Sequence, residues 1–335
     1  MTKKKRVFSG IQPSGELHIG NYLGAVKNWV ELQEQYECFF CIVDLHAVTQ
    51  PYEPEEMPAR VFDMALTLMA AGLDPEKCTI FVQSHVPQHA ELAWLFNTVT
   101  PIGELERMTQ YKDKASRQES VLAGLLNYPV LQAADILLYQ AELVPVGEDQ
   151  VQHVELTREI ARKWNGRFGE YFPEPEALVG EVRRVMGLDG QAKMSKSLGN
   201  TIGLLESPDE IWAKLRPAVT DPARVRREDP GNPFVCNIFS LHRHFSSPAD
   251  IAWSEHGCRT AGIGCIDCKR RLADNIIKEL DPIRERAMEL KRHPERVAET
   301  LERGAEHCRE IASSTMQEAL ARMGLRGGGP KVKGR

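Results

Sequence analysis

The chain has 335 residues and a mass of 37.7 kDa, room for one large domain or two ordinary ones around a full core. Hydrophobic residues make up 42% and charged residues 27%, which excludes fibrous and disordered classes. Net charge is −5, and a pI near 6.1 argues against general coating of nucleic acid.

The opening Met-Thr-Lys-Lys-Lys-Arg has no apolar stretch behind it, so no signal peptide and a cytoplasmic protein are expected. No run approaches the ~18 apolar residues of a membrane span. Eight cysteines in such a chain are expected as thiols or metal ligands rather than disulfides. Charge is uneven. Residues 1–200 carry 19 basic and 27 acidic side chains, whereas residues 201–335 carry 23 and 20. A local basic face is therefore open to the second part.

In chain order, Arg6–Ser9 reads as a short strand. Asn21–Gln35 reads as a helix, and Cys38–Asp44 as a buried parallel strand ending in Asp. Glu55–Ala71 is helical, Cys78–Ser84 is a strand, Ala90–Val99 is helical and Leu143–Val146 is a strand. This alternation predicts an α/β fold with a doubly wound, parallel, Rossmann-like sheet. Ligands then bind beyond the strand ends, where Ser9, Asp44, Ser84 and Gly147 fall. Beyond residue 200 strand signals stop. Segments 207–217, 268–291 and 295–323 read as helices, with Cys308 on the apolar stripe of the last. The chain thus divides into a catalytic unit over 1–200, a C-terminal helical domain over 201–325 and a Gly-rich basic tail over 326–335.

Two segments suit phosphate chemistry. Ser9-Gly-Ile-Gln-Pro-Ser-Gly-Glu-Leu-His-Ile-Gly-Asn21 leaves a strand, turns and enters a helix. Such a helix N-terminus favours anions, and His18 and Asn21 share one face of its first turn. The segment is neither Gly-x-Gly-x-x-Gly nor a Walker loop. The second, Lys193-Met-Ser-Lys-Ser197, lies between Gly190 and Gly199 and suits a mobile clamp on polyphosphate.

Cys236, Cys258, Cys265 and Cys268 follow a C-x21-C-x6-C-x2-C spacing. Four thiolates suit Zn2+ or an iron–sulfur cluster, with buried free thiols as the third reading. Structural zinc commonly uses two tight pairs, so one tight pair favours iron–sulfur. Cys38-Phe-Phe-Cys41 also reads C-x-x-C, but it begins a strand and is expected as core or edge thiols.

His-Ile-Gly-Asn followed by Lys-Met-Ser-Lys-Ser, 175 residues apart from His18 to Lys193, resembles class I aminoacyl-tRNA synthetases. Ser9–Gly15, Gly103–Arg107 (GELER), Ala133–Tyr139 (AADILLY) and Val144–Gln150 (VPVGEDQ) are similar to the tryptophanyl branch, over Arg6 to about Leu325. The resemblance implies activation of L-tryptophan by ATP, then transfer to the 3′ end of its tRNA. Gln12, Pro13, Ser14, Gly20, Asn21, Gly147, Glu148 and Asp149 are expected on ATP, with Val185 near adenine and Lys193, Met194, Ser195, Lys196 and Ser197 closing over it. Lys114 matches a lysine reaching the phosphates, and Mg2+ is expected as the ATP counterion. His18 stands where many members have Thr.

By the resemblance Asp135, in an otherwise apolar helix, is expected to accept the indole N–H, and the cost of burying an unpaired carboxylate there makes a hydrogen-bonding duty sensible. Tyr128, Gln132, His46 and Gln150 complete the expected tryptophan pocket, with Gln132 departing from a common Met. One branch of the family carries a 4Fe-4S cluster on spacing very similar to the four cysteines and also has this Gln. The cluster is thus expected, with Zn2+ as the alternative, beside an anticodon-binding surface. Arg224, Arg226, Arg227, Arg259, Lys269, Arg270 and Arg271 are expected to contact tRNA or to be plain surface charge. The family forms homodimers, and Leu92–Val99 with Pro101–Gly103 is a candidate interface. Rival readings are a tyrosyl enzyme, a small nucleotidyltransferase, and a non-catalytic iron–sulfur relative.

Overall fold

The computed structural model describes residues 4–115, 120–180, 185–195 and 198–325, without the side chain of Lys114. Five parallel strands form one sheet in the order β3-β2-β1-β4-β5. They are β1 (Arg6–Ile11), β2 (Glu37–Ile42), β3 (Cys78–Val82), β4 (Leu143–Val146) and β5 (Glu176–Val179). The order reverses between β1 and β4, the point at which a doubly wound sheet opens a crevice for ligands. This is the expected Rossmann-like fold. The fifth strand, Glu-Ala-Leu-Val, was not anticipated, because a short, half-exposed edge strand carries little hydrophobic pattern.

Strand alternation sends neighbours to opposite faces. Val7 and Phe40 pack on one face with Trp29, Leu66, Ile276, Leu280 and Val297. Phe8 and Phe39 pack on the other with Tyr139, Trp164, Cys308, Ala312 and Met316. Cys38 and Cys41 are buried strand thiols, and Cys308 is buried in its helix, as expected.

The expected first helix is three pieces: α1 (Ile19–Asn21), a π-helical turn over Tyr22–Val26 and α2 (Lys27–Gln35). Next come α3 (Asp44–Ala47), α4 (Met57–Ala70), α5 (Gln88–Asn97), α6 (Ile102–Glu106) and α7 (Thr109–Ala115). The long α8 (Ala123–Leu138) and α9 (Val151–Phe168) flank β4 in sequence. After residue 200 come α10 (Pro208–Leu215), α11 (Asn237–Phe245), α12 (Pro248–Arg259), α13 (Cys265–Arg292) and α14 (Pro294–Arg322). These helices do not build a separate core. α13 and α14 bury Ile276, Val297 and Cys308 in the two cores that cover the sheet. Contact is closest where α14 crosses β3: a Cβ on Gly304 would lie 2.0 Å from the Ile80 carbonyl oxygen. Among the described residues no helix is long and apolar enough to cross a membrane.

The candidate dimer segment divides. Leu92, Leu95 and Phe96 are core, whereas Trp94 and Ile102 are 70% and 63% exposed.

Candidate active site

The first cleft is built by the turn after β1. Gly15 takes a positive φ of 115°, a conformation glycine adopts without steric cost. His18 then caps the helix. Its Nδ1 accepts from the Gly20 and Asn21 backbone N–H groups at 3.1 and 3.3 Å, and Asn21 Oδ1 accepts from the His18 N–H at 3.3 Å. With Nδ1 engaged as acceptor, the neutral ring carries its proton on Nε2.

Backbone pairing draws the second motif against the first. Ile19 N–H donates to the Ile202 carbonyl and Leu204 N–H to the Leu17 carbonyl, each at 2.9 Å. A Cβ on Gly20 would lie 3.3 Å from Met194 Cβ. Gln12, Ser14, His18, Asn21, Met194 and Ser195 thus line one cleft of about 700 Å³. Lys193 is exposed at its loop, bridged to Met186. Pro13 is buried beneath the turn. Val185 is packed in the core, where its carbonyl accepts from the Met194 N–H at 3.1 Å, and it lines neither cleft. Lys196 and Ser197 lie outside the described residues, as does the Lys114 side chain.

A second cleft of about 1250 Å³ adjoins the first, and Gln12 lines both. The π-helical turn contributes Gly24 and its neighbour Ala25 to this wall. His46, Tyr128, Gln132, Asp135, Gly147 and Gln150 all face this space, so five expected pocket residues and the β4 glycine are brought together. Glu148 and Asp149 are exposed on the turn between Gly147 and α9.

Asp135 is 1% exposed, and three donors reach its carboxylate. His46 Nε2 lies 2.7 Å from Oδ2; Gln83 Nε2 and His89 Nδ1 lie 2.7 and 2.6 Å from Oδ1. Burial alone would raise this carboxyl, but the charge and hydrogen bonds of His46 and His89 hold it at about 2. It is a carboxylate, an acceptor only. Tyr128 meets His153 Nε2 at 3.0 Å and donates to Gln110 Oε1 at 3.2 Å. Burial pushes its phenol up to about 12.

Gln83, His89, Gln110 and His153 were not anticipated from sequence. The one usable signal was that Gln83 directly follows the carboxyl end of β3.

Cys236, Cys258, Cys265 and Cys268 line one separate small cavity of about 20 Å³, with Arg224 and Ser254. Among the described residues no His, Cys, Asp or Glu group of three or more is arranged to hold a metal ion. Burial raises the Cys236, Cys258 and Cys268 thiols, the last to about 11. Cys268 Sγ lies 3.1 Å from Ser254 Oγ and 3.4 Å from His242 Nε2.

Two residues of the expected basic face are spent inside the protein. Lys269 Nζ donates to the Arg216 and Ala218 carbonyls at 2.8 and 2.6 Å. Arg224 donates to the Arg227 and Ile263 carbonyls at 2.9 and 2.6 Å. Each is buried, so neither is surface charge. Arg270 lies over Trp212, and Arg271 pairs with Asp250.

A parallel sheet with a His-capped phosphate turn, zipped to a Lys-Met-Ser loop and opening onto a second cleft, defines a class I aminoacyl-tRNA synthetase. The family model described as tRNA synthetases class I (W and Y) matches residues 1–281. The chain is 57% identical to the tryptophan–tRNA ligase of Deinococcus radiodurans, over 96% of this chain and 98% of that protein. It is 47% identical to the ligase of the same name from Thermotoga maritima, over 96% and 99%. The tryptophanyl-tRNA synthetase of Campylobacter jejuni, solved with ADP and tryptophan, superimposes with a TM-score of 0.87 at 40% identity, covering 96% of this chain and all of that one. The chain belongs to the tryptophanyl-tRNA synthetases.

Proposed function

We propose that the two adjoining clefts carry out the two half-reactions of a tryptophan–tRNA ligase. The chain activates L-tryptophan with ATP and loads it on the 3′ end of its tRNA. The carrying observation is Asp135: an ionised, buried acceptor on the wall of a cleft that shares Gln12 with the phosphate turn. Indole N–H is a donor only, and Asp135 answers it.

In the first step a tryptophan carboxylate oxygen attacks the α-phosphorus of ATP. The bond to the β-phosphate bridging oxygen breaks, and pyrophosphate leaves with Mg2+, its counterion. In the second step a terminal ribose hydroxyl attacks the carbonyl carbon and AMP departs. No nucleophile from the protein is needed, so its work is positioning and charge stabilisation. His18 presents Nε2–H, and Asn21 shares its turn, toward the phosphates. Lys193, Lys196 and Lys114 supply positive charge as pyrophosphate develops, with Met194, Ser195 and Ser197 shaping the loop. Pro13, Ser14 and Gly20 shape the turn. Gly147, Glu148 and Asp149 take the nucleoside side, and Val185, packed in the core, acts beside the adenine only through its carbonyl bond to the Met194 N–H. Tyr128, Gln132, His46 and Gln150 surround the amino acid. The test is ATP–pyrophosphate exchange across the amino acids, where tryptophan alone should support exchange. Exchange with tyrosine instead would overturn the reading.

We place a 4Fe-4S cluster among Cys236, Cys258, Cys265 and Cys268, with Zn2+ as the alternative. Two observations support a charged occupant. The four sulfurs share one cavity, and the buried Arg224 beside them leaves Nε without a hydrogen-bond partner. A bound centre would ionise thiols that burial otherwise keeps neutral, and would order the 258–268 loop. Iron, sulfide and zinc analysis beside a visible spectrum decides between the two. The 201–325 segment is read as the anticodon side, with Arg226, Arg227, Arg259, Arg270 and Arg271 among its exposed cations. Exposed Trp94 and Ile102 support a homodimer. We read the reaction as cytoplasmic.

A further inference from the structure

We propose that His89 is a positioning residue for tryptophan: it holds Asp135 from behind so that only one acceptor direction faces the indole N–H. This rests on the reading of Asp135 as the indole acceptor.

A carboxylate offers about four lone-pair sites. Three are taken on Asp135, by His46 on Oδ2 and by Gln83 and His89 on Oδ1. The remaining site is on Oδ2. Asp135 and His46 line the cleft, whereas Gln83 and His89 do not. His89 therefore acts through Asp135 and touches no substrate. It is 0% exposed, so water is not at hand to replace it.

The protons can be assigned around this centre. Asp135 carries none, so each of its neighbours donates. His89 thus gives Nδ1–H to Asp135. Its Nε2 lies 2.7 Å from the Tyr139 hydroxyl. Tyr139 is fully buried, and burial drives its phenol well above the ordinary value. Tyr139 keeps its proton, and its hydroxyl bridges His89 Nε2 and the buried Cys308 thiol. The ring is thus held at both nitrogens. The Phe81 ring stacks at 5.9 Å and the Tyr139 ring lies at 5.4 Å, which fixes its plane. The row Tyr139–His89–Asp135 ends on a carboxylate, an acceptor that only a donor can satisfy.

The consequence is selectivity for the N–H. A site built to hydrogen-bond a substrate N–H rejects an analogue that lacks it far more strongly than an apolar pocket rejects a missing methylene. The probe is L-3-benzothienylalanine, in which sulfur replaces the indole N–H. Exchange by the unaltered protein with tryptophan tests the underlying reading separately.

His89→Leu should lower kcat/KM for tryptophan about 10- to 100-fold, through KM for tryptophan. The KM for ATP and the kcat/KM for the benzothienyl analogue should move less than about threefold. His89→Asn puts an amide N–H near the Nδ1 position and should restore most of the selectivity. His89→Gln reaches toward the Nε2 position and should not. Equal loss for both amino acids in a folded His89→Leu protein would show a merely structural role and overturn the proposal. So would equal behaviour of the Asn and Gln variants, a comparison that stands even if the Leu variant does not fold.

Discussion

A Cβ on Gly187 would lie 2.0 Å from Asn200 Nδ2, so the Asn200 side chain fills the space any larger residue at 187 would need. Asn200 uses that position to brace the lysine loop from inside. Its Oδ1 accepts from the Ser195 N–H at 2.8 Å, and its Nδ2 donates to Asp189 Oδ2 at 2.8 Å and to the Lys193 carbonyl at 3.4 Å. The carbonyl of Leu188 is in turn tied to the Val219 N–H at 3.0 Å. Gly187 is therefore a packing requirement of the loop rather than a hinge.

Gly187→Ala should displace Asn200 and misplace Lys193 while leaving the second cleft intact. Exchange kcat is expected to fall at least about tenfold, since mispositioning of this size is costly to a step that depends on orientation. Tryptophan binding by equilibrium dialysis should change by less than about twofold. A parallel loss of tryptophan binding would mean that the two clefts are not separable in this way.

Asp135 predicts a pH dependence of stability. Its carboxyl lies at about 2 in the fold, against an ordinary 3.8. A depressed folded value contributes stability that is fully present above the unfolded value and is lost as pH falls through the folded one. The window is therefore between about pH 4 and pH 2, and the contribution is on the order of 2 kcal/mol. Asp135→Asn has no such titration, and its amide NH2, in place of one oxygen, would face one or two of the three donors. The urea midpoint of the unaltered protein should fall across that window more steeply than that of the variant. At neutral pH the variant should be the less stable protein. Identical slopes for the two would remove Asp135 as the titrating group.

The site was legible where chemistry is local. The turn from Ser9 to Asn21 announces itself by Gly, Pro, His and Asn at a strand end. Asp135 stands out as a lone charge in an apolar helix. The pocket behind it was not legible. Gln83 lies at the end of the strand read over Cys78–Ser84 and His89 in the short polar loop before the next helix, and only the fold carries them across 52 and 46 residues to Asp135. Lys269 failed in the other direction. In sequence it belongs to a basic run beside Cys268, yet the helix turns it inward to cap carbonyls of the segment after α10. The π-helical turn over Tyr22–Val26 has no periodic signal at all, because it is a local widening of an otherwise helical pattern.

Gly304 carries the packing of α14 on the sheet. A Cβ there would overlap the Ile80 carbonyl oxygen, a backbone atom of β3 that has no rotamer by which to escape. Gly304→Ala gains helix propensity of about 1 kcal/mol, but overpacking of a tight core contact costs about 1–3 kcal/mol or more. The clash dominates, so Tm should fall by about 2–6 °C. A rise in Tm would mean that the two elements separate at little cost.

The cysteine cavity reaches the lysine loop through Asn237. Asn237 directly follows Cys236, and its Nδ2 donates to the Gly187 carbonyl at 2.7 Å. That carbonyl belongs to the residue packed against Asn200, so the bond fixes the base of the loop. Losing one such bond is worth about 1 kcal/mol, or about fivefold in rate if it is felt only when the loop closes. Asn237→Ala should lower exchange kcat by about that factor and leave the KM for tryptophan unchanged. Iron and zinc content should also stay as in the unaltered protein, because Asn237 is not among the four sulfur donors. Cys265→Ser, by contrast, should abolish any bound metal and raise the KM for tRNA, because Cys265 begins α13 at the edge of the 258–268 loop. If Asn237→Ala left exchange untouched, the route from the cysteine cavity to the lysine loop would not be functional. If Cys265→Ser stopped tryptophan activation outright, the cavity would be part of the catalytic unit rather than of the tRNA-facing half.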